Sequence, residues 1–209
     1  MSKTVTVGKI KTSTTELRDI AKAWLALSFA FAFVYAGLSF MRGGFSLMRL
    51  FSTEFLLYFA IALVTAGFGF LFHELAHKFV AQRYGCTAEF RAFDAMIYLA
   101  VGLAVITGFI FAAPGAVMIA GMITRKENGI ISLAGPLTNY VLAMIFLGLL
   151  FTFPQFSLLF GTGFGINMWL GLFNLIPFGN FDGIKIFQWN IIIWSTMVAF
   201  GVLFLFFLF

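Results

Sequence analysis

The chain has 209 residues, of which 62% are hydrophobic, 19% aromatic and only 10% charged, with a formal net charge of +5. Soluble globular domains carry about a quarter charged residues, so a water-soluble protein is excluded and an integral membrane protein is expected. The basic residues flank apolar runs and form no aromatic-laced patch, which points to anionic lipid headgroups of the bilayer and away from nucleic acid.

Residues 1–22 read as a polar, amphipathic leader. The first apolar run begins only near Ala23, so this segment does not have the form of a secretory signal. Ser13, with Glu16 three residues later, fits a capping box, and Leu17, Ile20 and Ala21 share one face of the helix it would start. That helical lead-in is expected to lie on the membrane surface. A first span is expected over 23–40, then a loop containing Arg42, Gly43, Gly44 and Arg49. A second span over 54–84 ends at Gly85, a natural helix terminator. Residues 96–122 are another apolar block, broken by Gly108 and by the turn signal Ala113, Pro114, Gly115. Small and β-branched residues around that turn predict a buried hairpin or re-entrant segment. After the polar patch 124–128, spans are expected over 131–151, 163–184 and 190–209.

The fold class expected is an all-α polytopic membrane protein of five to six transmembrane helices with a short membrane-embedded β-hairpin or re-entrant segment. Residues 23–209 would form a single domain after the leader. Eleven of the thirteen Lys and Arg residues fall in the leader, after the second span, in the 124–128 patch and at Lys185; only Arg42 and Arg49 lie on the other side. The positive-inside rule then places the amino terminus in the cytoplasm of a multi-pass protein of the cell membrane.

The second span carries His73, Glu74 and His77, and these are the only two histidines of the chain. Positions i and i+4 stack on one helix face, so both imidazoles can grip one metal ion while Glu74 stands beside them as a general base. Ionisable groups at membrane depth cost roughly 2.5–3.5 kcal/mol each, so such a trio is retained for function. His77 lies about 12 Å from the helix end, nearer one surface of the bilayer, the cytoplasmic one. A catalytic zinc takes three protein ligands, and the lone Cys86 lies beyond the helix, so a carboxylate must complete the set. Glu54, Glu89, Asp94 and Asp182 are the candidates in or near apolar segments. Asp182 shares the depth of the histidines, but a carboxylate at a helix terminus, paired with Lys185, reads equally well.

Three separated pieces resemble the site-2 protease family of intramembrane zinc metalloproteases. They are HELAH at 73–77, GPLTN at 135–139, and Asn174, Pro177, Asp182 and Gly183 in the family's NxxPxxxxDG pattern. The resemblance covers somewhat over half the chain. It implies that His73, His77 and Asp182 bind one zinc ion per chain and that Glu74 is the catalytic general base. It also implies that the turn at Pro114 and Gly115 belongs to a strand that presents an edge to an unwound substrate. Asn139 and Asn174 match asparagines tied to substrate contact, although hydrogen bonding between helices is an alternative role worth about 1 kcal/mol. Gly135 and Pro136 would permit close packing and start a helix. The implied function is zinc-dependent cleavage of transmembrane segments of membrane-protein substrates. The rival classes are a metal-ion transporter and a catalytically silent membrane adaptor.

Overall fold

The computed structural model describes residues 4–7, 10–110 and 114–207, with side chains from residue 12 onward. In chain order the elements are β1 (Thr4–Val7), β2 (Ile10–Ser13), α1 (Thr14–Tyr35), α2 (Thr53–Ala62), α3 (Phe68–Arg83), β3 (Thr87–Ala92), α4 (Asp94–Thr107), β4 (Gly115–Ala120), α5 (Arg125–Thr152), α6 (Ser157–Asn174), α7 (Asp182–Trp189) and α8 (Ile191–Phe206). They form two compact units, Met1–Phe68 with Phe90–Ala116, and Gly69–Glu89 with Val117–Phe209. The protein is mostly helical. Among the described residues, three helices are long and apolar enough to cross a membrane, at Thr53–Arg83, Arg125–Thr152 and Pro154–Asn174, while α4 and α8 are shorter apolar helices.

In the first unit, β1 and β2 pair antiparallel, Thr4 opposite Ser13. The Ser13 hydroxyl caps α1 by accepting the Glu16 N–H at 3.1 Å. The Glu16 side chain turns inward: its carboxylate accepts the Phe90 N–H at 2.9 Å and the Thr12 hydroxyl at 2.7 Å. Glu16 is fully buried and Leu17 half exposed. The carboxylate enters the interior because it pairs a β3 amide there. The expected lead-in and first span are thus one helix, α1. Its polar half is pinned by Asp19, which accepts the Ala92 N–H, and by a Lys22–Asp94 ion pair. Its apolar half packs Ala30, Ala32 and Phe33 against Phe55 and Ala104.

The α2 and α3 segments form one helical run interrupted by a π-turn at Leu63–Gly67. Widening a helix by one residue displaces carbonyls from the usual ladder, and here the Trp24 indole donates to the Leu63 oxygen at 3.1 Å. Helix α4 ends on Gly108 in the left-handed conformation, φ 74°. Its last carbonyls are satisfied by the Phe40 and Met41 amides, each at 2.9 Å.

The 96–122 block contributes a helix and a strand. Residues 94–107 are the helix α4, and β4 pairs with β3 in a two-stranded sheet. The Phe93 amide reaches the Pro114 carbonyl at 2.9 Å and the Thr87 hydroxyl reaches Ala120 at 3.1 Å, so the strands run antiparallel. The strand expected after Pro114 exists, but its partner lies before α4. The part of the expected hairpin at 111–113 lies outside the described residues.

In the second unit, Thr124 and Glu127 form a complete capping box, so the polar patch is the first turn of α5. Pro136 lies inside that helix instead of starting it. The span expected over 163–184 is two elements: α6 stops at Asn174, and the chain turns through Pro177 and Gly179, φ 64°, before Asp182 opens α7. Tyr140, Phe164, Met168, Leu175 and Ile186 form the core, and the Tyr140 hydroxyl donates to Met197 at 3.1 Å, tying α5 to α8.

Replacing Glu16 by Leu strands the Phe90 amide in the interior. The expected loss is about 1–3 kcal/mol, read as a lower midpoint of thermal unfolding in detergent.

Candidate metal centre

His73, Glu74 and His77 lie on α3, all three buried. The helical spacing puts the two imidazoles on one face with ring centres 4.7 Å apart and planes nearly perpendicular, at 85°. Asp182, also buried, is the first residue of α7. Its position depends on Gly183, because a Cβ there would overlap the Leu175 carbonyl. The same carbonyl accepts the Trp194 indole N–H at 2.8 Å, so α8 braces the turn that delivers Asp182.

Both imidazoles have a fixed polarity. His77 Nδ1–H donates to the Ile131 carbonyl at 2.7 Å, a group that can only accept. His73 Nδ1–H donates to Asn139 Oδ1 at 2.6 Å, and Asn139 is oriented because its Nδ2 donates to the Gly69 carbonyl at 3.1 Å. With Nδ1 carrying the proton, each neutral ring turns an unprotonated Nε2 inward. The two Nε2 atoms are 3.0 Å apart, and Asp182 Oδ2 lies 3.3 Å from that of His73 and 3.0 Å from that of His77.

With both rings neutral, three acceptors thus converge, an arrangement that calls for a shared proton or a metal ion in an interior where unpaired lone pairs are costly. Ligands about 2 Å from a tetrahedral zinc lie roughly 3.3 Å from one another, so the spacing suits that ion. Among the described residues, His73, His77 and Asp182 are the group able to hold a metal. The other Asp182 oxygen, Oδ1, faces Lys185 at 3.8 Å, so the ion pair read from the sequence occupies one carboxylate oxygen and the imidazoles the other. Of the alternative carboxylates, Glu54 pairs with Arg49 and Asp94 with Lys22.

Glu74 Oε2 accepts the Val117 N–H of β4 at 3.0 Å. Pairing of Phe93 with Pro114 directs alternate β4 residues toward β3, which leaves Val117 turned to the outer edge, where Glu74 meets it. Gly115 opens that strand and Pro114 precedes it. The Asn174 amide donates to Leu170 of its own helix at 3.0 Å.

Three contributors were not legible in the sequence. The Ile131 carbonyl and the Val117 amide are backbone groups, invisible to any motif. Asn167 is a side chain whose signal was an amide in the middle of the apolar run of α6, where a polar group needs a partner. It is fully buried and accepts Asn139 Nδ2 at 3.2 Å. Gly135 matters for space. A Cβ at that position would overlap His77 Nε2 and lie 2.5 Å from His73 Nε2.

Two histidines and a carboxylate converging in this way, with a glutamate adjacent to the first histidine, form a donor set that suits a zinc ion. The chain is 45% identical over 146 residues to a protein of Methanocaldococcus jannaschii named "Putative zinc metalloprotease", an overlap of 68% of this chain and 76% of that one. It belongs to the zinc metalloprotease family of that relative. No family model matches the chain, and no solved structure does.

Gly135→Ala is expected to lower the zinc content of the purified protein about tenfold or more, by displacing both imidazoles. Gly148→Ala on the same helix, where a Cβ meets nothing within 4 Å, is expected to keep it. Elemental analysis of the two variants checks the pair.

Proposed function

We propose that the chain is an intramembrane endopeptidase of the site-2 protease type, cleaving transmembrane segments of membrane-protein substrates. The observation that carries this reading is the buried convergence of His73, His77 and Asp182 on a helical run of 31 residues apolar enough to cross a bilayer. His73, His77 and Asp182 would hold one zinc ion per chain. When bound, zinc would supply Lewis-acid polarisation of the scissile carbonyl and a water of pKa about 7.

Glu74 is the general base. It takes a proton from the attacking water and returns it to the leaving nitrogen, and the Val117 amide holds one of its oxygens so that the other is aimed. Burial keeps bulk water from competing for that carboxylate. A transmembrane helix arrives with its backbone groups paired, so it must unwind before it can be cut. The outer edge of β4 offers the unwound segment a strand to pair with, beside Glu74. Pro114 and Gly115, at the start of that strand, and Asn174 are assigned to substrate. Asn139 is assigned to the support of His73, since its amide already bonds Gly69, Asn167 and the imidazole.

The distribution of lysine and arginine supports a multi-pass protein of the cell membrane with its amino terminus and the metal-proximal face toward the cytoplasm. Water would then reach the site from that side. Substrates with helix-weakening residues near the cut should be preferred.

The test is to incubate the purified protein with model transmembrane peptides, with and without a zinc chelator. Cleavage that the chelator abolishes is the expected outcome. Glu74→Gln is expected to keep zinc and lose cleavage by about a hundredfold or more, whereas Asp182→Ala is expected to lose zinc itself. Cleavage by Glu74→Gln at the wild-type rate would remove Glu74 from the chemistry. Zinc flux across vesicles without any cleavage would make the protein a transporter, and zinc binding with neither activity would make it an adaptor.

A further inference from the structure

We propose that Asn167 is a positioning residue that fixes the tautomer of His73 through Asn139. The inference rests on the metal-binding reading of His73 and concerns a residue outside the ligand set.

Four groups in a row carry the argument. The Gly163 carbonyl, one turn back on α6, accepts Asn167 Nδ2–H at 2.9 Å. A carbonyl cannot donate, so this contact decides which end of the Asn167 amide is nitrogen and leaves Oδ1 facing α5. There Oδ1 accepts one hydrogen of Asn139 Nδ2 at 3.2 Å, and the Gly69 carbonyl on α3 accepts the other at 3.1 Å. Both Nδ2 hydrogens of Asn139 are therefore committed, and its Oδ1 must face His73 Nδ1 at 2.6 Å. An acceptor at that position requires His73 to carry its proton on Nδ1, which leaves Nε2 free to bind a cation. Reversing Asn139 would set its oxygen against two acceptors, Gly69 O and Asn167 Oδ1, and present N–H to a ring that must then accept. The polarity of a backbone carbonyl on α6 is thus relayed through two amides to a metal ligand on α3.

An asparagine acting only as glue between helices would need no particular orientation. Here Asn139 and Asn167 are both fully buried, and the space Asn167 Oδ1 occupies exists because residue 69 is a glycine. A Cβ at Gly69 would overlap that oxygen. His77 obtains the same tautomer directly from the Ile131 carbonyl, independently of both asparagines. The relay therefore acts on one imidazole and not on the other.

Because His73 and His77 are the only histidines, the full-length protein labelled with 15N-histidine gives two ring systems to follow by long-range 1H–15N NMR. In the zinc-free wild type both rings are expected to be protonated on Nδ1. In Asn167→Leu the His73 ring is expected to gain an Nε2-protonated population while His77 is unchanged, with zinc affinity weakened about tenfold or more. Gly69→Ala displaces the Asn167 oxygen without altering Asn167 and is expected to give the same one-sided change, so the test survives a failure of Asn167→Leu to fold. An unchanged His73 ring with zinc affinity within about twofold of wild type in the variant that folds would overturn the proposal. Equal changes in both rings would overturn it as well, since they would mark a packing effect. None of these readings requires peptide cleavage, so they stand apart from the test of the proposed activity.

Discussion

The structure turns on three polar atoms, two imidazole nitrogens and a carboxylate oxygen, held about 3 Å apart in an apolar interior. With neutral rings such an arrangement is favourable only when a cation lies among them, and the groups behind each side chain hold it in place. Each imidazole is clamped from behind by an acceptor, the Ile131 carbonyl for one and Asn139 for the other. Asp182 is clamped by the close packing of Gly183 on the Leu175 carbonyl, which Trp194 also holds. These backing groups hold the three side chains in the arrangement that the proposed zinc ion would require.

The same economy of polar groups recurs wherever a charge or amide is buried. Glu16 enters the interior because the Phe90 amide and the Thr12 hydroxyl meet it there. The carbonyl at the π-turn of the long helical run is met by the Trp24 indole. Glu74 is met by the Val117 amide on the outer edge of β4. In a protein so poor in charge, these buried groups each sit with a partner that fixes their direction, and Phe90, Trp24 and Val117 come from elements distant in sequence.

Small residues do the corresponding work for space. At Gly135 the helix α5 approaches both imidazoles so closely that no side chain fits, and at Gly69 the helix α3 makes room for Asn167. Close approach of this kind lets a carbonyl of α5 reach His77 directly. Pro136, inside α5, removes one amide from the helical ladder beside the same site. Gly135 and Pro136 of the GPLTN segment, with Gly69 of α3, are thus parts of the candidate metal centre's architecture.

By itself the sequence determined that the chain belongs in a membrane, that His73 and His77 share a helix face beside Glu74, and that the chain breaks at Gly85, Gly108 and Pro114. Those features follow from composition, from a period of about 3.6 residues and from glycine and proline chemistry, all of them local. The tertiary structure decided what local rules leave open. It placed Asp182 against the histidines when four carboxylates were possible, paired β4 with a strand before α4, turned Glu16 inward, and brought Asn167 behind Asn139. Periodicity reports which side chains share a face of one element, whereas hydrogen-bond satisfaction in a buried interior is settled only when faces from distant elements meet.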